Sequence, residues 1–454
     1  MTTTHPELYT VHHLGGETCV TGSCHILAIN NGINIMVDCG LSQGDQEPLS
    51  FSKSPVPVKD LDYLFITHAH LDHIGRIPEL LENGFKGEVI CTHPTKALLS
   101  PMLHDALGFS DRSKKEIQKL EEQIHELSWG FEYNQDFKLK NGVEFKLRQA
   151  GHILGSCFIR FSIPNENNDE ITIIFSGDLG CKDTPILPDP DLPDSCDLLI
   201  MESTYGNRDH QGRAERIDHL GSLLEKALKD NGKVFIPAFS LGRTQEFIYE
   251  LDRIFTQGLD KFPILKDKDI PVFIDSPLGL EITRIYSSLE QFWDKEAKDL
   301  KSSGDHPIDF PGLYAVKSHR HHEHILDLKG PAIIIAGSGM CTGGRILGHL
   351  EKGLESPEND VFFIGYQASG TTGRKIIQYS KKEDGYIRLR GKDVKLKAGI
   401  HVLSGYSAHA DKSTLIDWVE SMPSKPKLIK LVHGDDDARK ALSASLNGKG
   451  HIAV

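Results

Sequence analysis

The chain has 454 residues, which exceeds one ordinary hydrophobic core, and its 39% hydrophobic and 25% charged residues fit a soluble globular protein of two domains. No run of about 18 apolar residues is present, which excludes a membrane-spanning helix. The polar N-terminus lacks the apolar stretch of a secretory signal, so a cytoplasmic location is expected. The net charge of −13 weighs mildly against nucleic acid as a partner, although bound metal ions and local basic residues can create a positive cleft.

Short strands joined by glycine-rich turns dominate the first 200 residues. The dipeptide Asn31-Gly32 separates two strand-like runs and is a strong signal for a β-hairpin. Apolar runs bounded by turn residues predict strands over 24–30, 33–38, 60–67, 143–149, 158–163, 171–176 and 198–201. Helices are predicted over 77–82, 94–107 and 111–127, and a polar hairpin loop over 165–170.

Strand–helix alternation begins after Tyr205. Strands are predicted over 234–236, 272–274, 333–335 and 361–364, with helices over 244–255, 280–286 and 345–354 between them. Such alternation is typical of a parallel α/β sheet. From about residue 396 short strands return, over 400–403 and 428–432. An α/β insertion within another domain therefore fits the pattern best.

The segment 67–73, which reads THAHLDH, carries an unusual density of metal-ligand residues directly after a predicted buried strand. Imidazole and carboxylate groups suit zinc. A spacing of two cannot place His68 and His70 on one helix face, but a tight loop brings all four side chains together. His68 and His70 are expected to hold one ion, and Asp72 and His73 a second.

Further ligand types follow other predicted strands. Asp38, His152, Asp178 and His433 each stand at or just beyond a strand end. A single His or Asp in such a position is usually exposed to solvent or caps a turn, but the four in this order are informative. The ends of buried strands are also where loops carry chemistry.

In these residues the sequence resembles the metallo-β-lactamase fold. The resemblance implies that His68, His70 and His152 bind a first zinc ion and that Asp72, His73 and His433 bind a second. It also implies that Asp178 bridges both ions and that Asp38 supports the ligand shell. The expected cofactor is two Zn²⁺ per chain.

The insertion between Asp178 and His433 resembles the β-CASP domain. Its motifs stand here as IPAFSLGRTQ, DSP, GSGMCTGGR and GYQASGTTGR, starting at residues 236, 275, 337 and 365. The family's motif A acid matches Glu202, its motif B histidine matches His409, and its motif C matches His433, where histidine is the RNA-directed pattern. Two departures are Asp435, where the family commonly has Glu, and the lack of an N-terminal KH-like extension.

The sequence most resembles the short bacterial and archaeal β-CASP ribonucleases, which are related to the endonuclease subunit of pre-mRNA 3′-end cleavage. The expected fold is an αββα metallo-β-lactamase sandwich, residues 1–205 and 396–454, with an inserted β-CASP α/β domain over 206–395. The expected reaction is metal-assisted hydrolysis of RNA in which His409, oriented by Glu202, protonates the leaving 3′ oxygen and a 5′ phosphate results. The expected catalytic set is Asp38, Asp178, Glu202 and His409.

Two glycine-rich turns, 337–344 and 370–373, follow predicted buried strands, and glycine lets backbone N–H groups approach an anion. RNA phosphate is therefore expected near hydroxyl and guanidinium groups of Arg243, Ser338, Ser369, Thr371 and Arg374. The segment 318–324, SHRHHEH, suggests a third metal site, but no family motif matches it. We interpret it as a solvated surface run.

Two other functions remain open from the sequence. A hydrolase of small esters, thioesters or lactams would use the same metal core but would not need the insertion or the motif A and B residues. A non-catalytic binding subunit would be expected to lose metal ligands, whereas every ligand position here is filled. The expected partner is single-stranded RNA, and a homodimer is compatible with the sequence. The sequence does not separate endonuclease from 5′→3′ exonuclease action, or zinc from manganese or iron.

Overall fold

Two compact units make up the computed structural model, which describes residues 2–5, 8–42, 50–165, 170–213, 215–368 and 370–454. The first unit comprises Met1–Asp209 and His409–Val454, and the second comprises His210–Ala408. One unit is thus inserted in the sequence of the other. The domain boundaries expected at 205/206 and 395/396 are not the same as the limits of these two units, and they stay a prediction. Elements are numbered below in chain order.

Two sheets form the centre of the first unit. The first sheet has seven strands in sequence order: β1 (Thr2–His5), β2 (Tyr9–Gly15), β3 (Cys24–Ile29), β4 (Ile33–Val37), β5 (Tyr63–Phe65), β6 (Glu88–Thr92) and β7 (Ser128–Phe131). The predicted hairpin at Asn31-Gly32 is confirmed, since Ile29 pairs with Ile33 and Gly32 has a φ of 88° that favours glycine. Strands β4 to β7 run parallel.

The second sheet has the order β21-β12-β11-β10-β9-β8. Its strands are β8 (Asp136–Lys138), β9 (Glu144–Gln149), β10 (Cys157–Pro164), β11 (Glu170–Phe175), β12 (Leu198–Glu202) and β21 (Leu428–Val432). Alternating apolar side chains of both sheets, among them Val11, Ile35, Phe161 and Ile173, form one buried core between them. The loop expected between β10 and β11 includes residues 166–169, which lie outside the described residues.

Helices cover the outer faces of these sheets. They are α1 (Leu71–Ile74), α2 (Ile77–Glu82), α3 (His93–Leu107), α4 (Lys114–Leu127), α13 (Lys412–Glu420) and α14 (Asp436–Gly448). A second buried cluster joins Phe158 and Ile174 of the second sheet to Leu415 of α13 and Leu442 of α14. The charged helix predicted from residue 111 begins only at Lys114, because Ser113 and Glu116 form a capping box there. This arrangement confirms the expected αββα sandwich.

The second unit is built on a parallel sheet of order β15-β14-β16-β13-β17-β20. Its strands are β13 (Lys233–Pro237), β14 (Val272–Ile274), β15 (Leu313–Ala315), β16 (Ala332–Ala336), β17 (Asp360–Phe363) and β20 (Gly399–Val402), and a separate hairpin joins β18 (Tyr386–Leu389) to β19 (Lys392–Lys395). The predicted parallel α/β sheet is confirmed. Strand β20, expected from an apolar run, pairs with β17 in this sheet.

Eight α-helices connect the strands of the second unit among the residues described for it. They are α5 (Arg216–Ala227), α6 (Arg243–Asp252), α7 (Pro263–Asp267), α8 (Pro277–Ser288), α9 (Lys295–Ser302), α10 (His319–Leu326), α11 (Ile346–Gly353) and α12 (Thr372–Tyr379). The helix predicted over 244–255 ends as α6 at Asp252 and continues as a π-helical turn, Arg253–Gln257. Across all described residues, no helix is both long and apolar enough to traverse a lipid bilayer.

Candidate metal centre and active site

The predicted metal ligands of the first unit converge at the ends of its strands. The segment that carries His68 to His73 follows β5, His152 follows β9, Asp178 follows β11 and His433 directly follows β21. Strands of both sheets therefore contribute to one cluster. All of these groups except His70 and Asp72 are buried, which is unusual for so many polar side chains and calls for a charged partner.

Three histidines form the first group. The Nδ1 of His70 lies 3.1 Å from Nε2 of His68 and 3.2 Å from Nε2 of His152. Two atoms that are each about 2.0–2.1 Å from a tetrahedral zinc ion lie about 3.4 Å apart. Burial lowers the pKa of His68 well below its ordinary value, so its ring is neutral and offers a lone pair. The three nitrogens have the spacing that one divalent ion requires.

Asp72, His73 and His433 form the second group. The Oδ2 of Asp72 is 3.9 Å from Nε2 of His73 and 3.9 Å from Nε2 of His433. His433 adopts a φ of 49°, an uncommon conformation outside glycine, which is consistent with a position fixed by its surroundings. The three residues that the resemblance implies for a second ion thus lie together, and their role as its ligands stays a prediction.

The carboxylate of Asp178 lies between the two groups. Its Oδ2 is 3.6 Å from Nε2 of His68, 3.7 Å from Nε2 of His152 and 3.3 Å from Nε2 of His73. Its Oδ1 is 3.5 Å from Nε2 of His433. Burial opposes ionisation, yet the surrounding histidines hold the pKa of Asp178 well below its usual range. An ionised carboxylate in this position can contact both groups.

Unsatisfied polar atoms test whether this cluster fits metal ions. Oδ1 of Asp178 and both ring nitrogens of His433 are buried and make no hydrogen bond to any described residue. Such atoms are rare in native proteins unless an ion or water satisfies them. A void of about 10 Å³ lined by His73, Asp178 and His433 adjoins them, roughly the space of one small sphere. The residues present therefore fit divalent ions.

Asp38 orients the ring of His73 through a hydrogen bond from its Nδ1. Its Oδ2 accepts hydrogen bonds from Nδ1 of His73 at 2.7 Å and from the Thr67 hydroxyl at 2.8 Å, and its Oδ1 accepts one from the Thr67 amide. Burial opposes a proton on His73, but Asp178 and Asp38 together raise its pKa well above the ordinary value. This contact fixes the ring so that Nε2 faces the cluster, as expected for a residue that supports a metal ligand.

Replacing Asp38 with asparagine is expected to weaken metal binding about 10–100-fold, because the ring of His73 loses its anionic partner. The measurement is a competition titration against a chelating dye. Asp197→Asn is the matched control, since Asp197 also accepts a backbone hydrogen bond, from Thr172, but is not one of the cluster residues. Equal metal affinity for both variants and wild type would contradict the role given to Asp38.

His409 and Glu202 form a pair beside Asp178. Nδ1 of His409 lies 3.2 and 3.3 Å from the two carboxylate oxygens of Glu202 and 3.8 Å from Oδ2 of Asp178. Glu202 is held in turn by the amides of Leu179 and Thr204. Burial opposes the charged ring, but Glu202 and then Asp178 outweigh it and raise the pKa of His409 to about 9. A protonated His409 can donate a proton.

His25 is a neighbour of the cluster that sequence reasoning missed. It lies on β3, is buried, and lines the same void as His73 and His433. Its Nδ1 is 2.9 Å from Nδ1 of His13 and its Nε2 is 3.2 Å from the Ser23 hydroxyl. The sequence offered one signal for His25. In the hairpin around Asn31-Gly32 it pairs with Val37, one residue before Asp38.

The predicted phosphate-binding residues lie in the second unit and differ in exposure. Arg243 is buried and donates to Glu246 and to the Tyr406 carbonyl. The hydroxyl of Ser338 accepts hydrogen bonds from the amides of Thr342 and Gly343, and that of Thr371 caps α12. Arg374 is exposed, whereas Ser369 lies outside the described residues. Of the four that are described, Arg374 thus presents the most accessible charge.

The loops that carry these residues follow the carboxyl ends of β13, β14, β16 and β17 and contact one another. Ser240 and Ser276 are joined by their hydroxyls at 3.1 Å, and Nε2 of Gln367 donates to the Gly339 carbonyl at 2.9 Å. Gly344 has a φ of 74°, and a Cβ there would lie 2.3 Å from the Gly337 carbonyl oxygen. Glycine is required at this position by close packing of the turn on itself.

The histidine-rich run is only partly the solvated surface that we expected. His319, His321 and His324 are exposed on α10, but His322 is buried and its Nδ1 lies 2.5 Å from Oδ2 of Asp275. Nε2 of His349 donates to the same oxygen at 2.7 Å, and Arg345 donates to Oδ1 at 2.7 Å. These are hydrogen-bond lengths, shorter than the separation of ligands around a metal ion. We therefore interpret the cluster as a hydrogen-bond network.

The Asp275 network is expected to stabilise the fold in a pH-dependent way. Burial opposes ionisation of Asp275, but hydrogen bonds from His349, His322 and Arg345 lower its pKa from 3.8 to about 2. Because the folded pKa is depressed, the stabilisation is present above about pH 4 and is lost as the pH falls toward 2. Asp275→Asn should therefore lower the free energy of unfolding by about 2 kcal/mol at pH 7.

Urea unfolding of Asp275→Asn and wild type at several pH values measures this difference. The gap should narrow as the pH falls from 4 toward 2. Asp393→Asn, which changes an exposed carboxylate of the same unit, should match wild type throughout. A gap that is absent at pH 7, or that is independent of pH, would show that the network does not stabilise the fold through the charge of Asp275.

Comparisons with known proteins agree with this architecture. The model of the metallo-beta-lactamase superfamily matches residues 18–238, that of the Beta-Casp domain residues 244–376, and that of the Zn-dependent metallo-hydrolase RNA specificity domain residues 393–454. Fold and strand-end cluster thus define a metallo-β-lactamase-fold protein, a class whose fold implies divalent metal binding.

Individual relatives cover nearly the whole chain. Ribonuclease TTHA0252 of Thermus thermophilus is 35% identical over 96% of this chain and 95% of its own length. An RNase J-like protein of Methanocaldococcus jannaschii is 30% identical over 93% of this chain and 91% of that protein. Transcription termination factor FttA of Methanosarcina mazei is 29% identical over 96% of this chain and 68% of that longer protein. The chain belongs to the β-CASP family of metallo-β-lactamase-fold ribonucleases.

Proposed function

We propose that the protein is a two-zinc ribonuclease that hydrolyses phosphodiester bonds in single-stranded RNA within the cytoplasm. The observation that carries the proposal is the joint presence, in one cluster, of two groups of three metal-type ligands around Asp178 and of the His409–Glu202 pair. The metal groups alone would suit many hydrolases. The added acid pair suits a reaction whose leaving group needs a proton.

The cluster residues divide the work of this reaction. His68, His70 and His152 would hold one ion, Asp72, His73 and His433 the other, and Asp178 would contact both. When bound, two divalent ions lower the pKa of an attacking water and neutralise phosphate charge. Glu202 orients His409 through Nδ1, and His409 delivers a proton to the leaving 3′ oxygen, which leaves a 5′ phosphate on the product.

RNA is proposed as the substrate for two reasons. Relatives that match nearly the whole chain are named ribonuclease and RNase J-like, and the C-terminal match is to an RNA specificity domain. Among the predicted phosphate contacts, the exposed Arg374 is the one we retain, whereas the guanidinium of Arg243 already donates within its own unit. A homodimer remains a hypothesis, which the molar mass from light scattering would test.

The experiment that tests the function uses protein of measured metal content. Single-stranded RNA labelled at the 5′ or the 3′ end, DNA of the same sequence and a small thioester are offered in parallel. Cleavage of RNA alone is expected, and the pattern of the two labels distinguishes internal cuts from stepwise 5′→3′ removal. Hydrolysis of the thioester with intact RNA would favour a small-substrate hydrolase. Intact RNA, DNA and thioester would favour a binding subunit.

A further inference from the structure

A cavity of about 270 Å³ opens at the amino edge of the parallel sheet in the second unit. Most of the residues that line it precede β16 and β17 or lie at the start of β13, three neighbouring strands, and the others belong to the ends of α10 and α11. The glycine-rich turns follow the carboxyl ends of the same strands. Strands of five residues are about 15 Å long, so this cavity is separate from those turns.

Positive charge converges on the cavity although the chain as a whole is acidic. Lys233, Lys329 and Lys352 line it, against the single acidic lining residue Glu358. Lys352 is paired with Asp327 at 2.7 Å. The ammonium group of Lys233 makes no hydrogen bond or ion pair with the described residues, although the Asp327 carboxylate attracts its charge from a distance while Lys352 repels it. An anion between these groups would relieve the repulsion.

Lys233 is also partly withdrawn from water. It is half-buried as the first residue of β13, and burial lowers the pKa of its ammonium group. A charge kept in such a position without a partner costs stability unless a ligand compensates it. Lysine is a common phosphate-binding residue, where it acts as a point charge.

Other residues that line the cavity are apolar or neutral. Phe235, Leu326 and Leu328 contribute to it, and so does His349, whose pKa is lowered by burial and whose Nε2 is bound to Asp275. A ligand with both an anionic end and a less polar body would contact the lysines and these residues together. The volume is at the small end of ligand pockets, which excludes a large cofactor.

We propose that this cavity binds a small phosphate monoester, of the size of a nucleoside 5′-monophosphate, with its phosphate against Lys233 and Lys329. A phosphate monoester carries a charge of about −1.5 to −2 near pH 7, which matches two lysines that form no direct ion pair with the described residues. The site is distinct from the metal centre, and the inference does not rest on the proposed nuclease function.

Isothermal titration calorimetry tests the site with three probes on the metal-loaded protein. Adenosine 5′-monophosphate and inorganic phosphate are expected to bind, and adenosine is not. Equal affinity for the two phosphates would identify free phosphate as the ligand, whereas tighter binding of the nucleotide would identify the monoester. Binding of adenosine as tight as that of its monophosphate, or no binding of any probe, would overturn the proposal.

Variants separate this cavity from the metal centre. Lys233→Gln and Lys329→Gln should each weaken nucleotide binding about tenfold or more, since a charged hydrogen bond to the phosphate is lost. Lys381→Gln, an exposed lysine of the same unit, should bind like wild type, and so should Asp178→Ala. Binding that survives in both pocket variants but is lost in Asp178→Ala would place the ligand at the metal centre and overturn the proposal.

Hydrogen exchange gives a readout that does not depend on either pocket variant folding well. Saturating nucleotide should slow amide exchange in residues 329–333 and 353–359 of the wild-type protein, which border the cavity. Protection confined to other segments would overturn the assignment. Lys233→Gln should still cut RNA at the wild-type rate, so a failure of the nuclease function and a failure of this site are distinguishable.

Discussion

Asp178→Ala is expected to abolish RNA cleavage and to lower the metal content of the protein. The Asp178 carboxylate lies 3.3 to 3.7 Å from Nε2 of His68, His73, His152 and His433, so its loss removes the group shared by both sets of ligands. Metal ions contribute several kcal/mol of transition-state stabilisation, and a loss of about 5 kcal/mol corresponds to a rate about 10⁴-fold lower.

Cleavage of end-labelled RNA and metal analysis of the same samples measure both effects. Asp111→Ala removes an exposed carboxylate of the same unit and should leave cleavage rate and metal content unchanged. A variant Asp178→Ala that keeps both its metal and its activity would contradict the bridging position proposed for this carboxylate.

The second large effect is expected for His409→Ala, which should lower kcat about 10²–10⁴-fold while the metal content stays at the wild-type level. His409 is placed to supply a proton, because Glu202 holds its Nδ1 and raises the pKa of the ring to about 9. Glu202→Gln should have a smaller effect. The amide oxygen of the glutamine still accepts the hydrogen bond of His409, although the side chain carries no charge.

A substrate whose leaving group needs no proton distinguishes proton donation by His409 from a merely structural role of this residue. A nitrophenyl phosphodiester releases a phenolate that needs no proton, so His409→Ala should hydrolyse it nearly as fast as wild type does. His321→Ala, which changes an exposed histidine on α10, is the control and should retain both activities. An equal loss on RNA and on the activated diester would argue against His409 as the proton donor.

The convergence of the candidate metal ligands was predictable because each belongs to a short local pattern near the end of an apolar strand. His68 and His70 lie before α1, whereas Asp72 and His73 lie on this short helix instead of the tight loop that was expected. Asp38, Asp178 and His433 each follow a run of buried aliphatic residues. Parallel strands end at one edge, so strand ends that are far apart in sequence meet in space. The αββα core was expected from the resemblance to the metallo-β-lactamase fold, whereas the apolar runs predicted only its individual strands.

The Asp275 network could not be predicted from spacing. Asp275, His322 and His349 come from three separate segments, and only the order of strands in the parallel sheet brings them together. Helical periodicity did offer one signal, since His322 and Ile325 are buried on the same face of α10 while His321 and His324 are exposed. The lack of a matching family motif had led us to expect that the whole run was solvated.

The position of Arg243 was also beyond sequence reasoning. Its place beside a glycine-rich turn suggested a phosphate contact, but the side chain turns inward to Glu246 and the Tyr406 carbonyl. A charged residue in a turn is exposed more often than not. Burial of an arginine depends on an acceptor that is distant in the chain, here a carbonyl more than 150 residues away.

A metal titration that follows RNA cleavage tests the central claim most directly. Protein stripped by a chelator is reloaded with zinc in measured steps, and both bound metal and the initial rate of RNA cleavage are recorded. A metal-dependent ribonuclease should be inactive when stripped and reach its full rate as about two ions bind per chain. Full RNA cleavage by the metal-free protein, or intact RNA after both sites are filled, would contradict it.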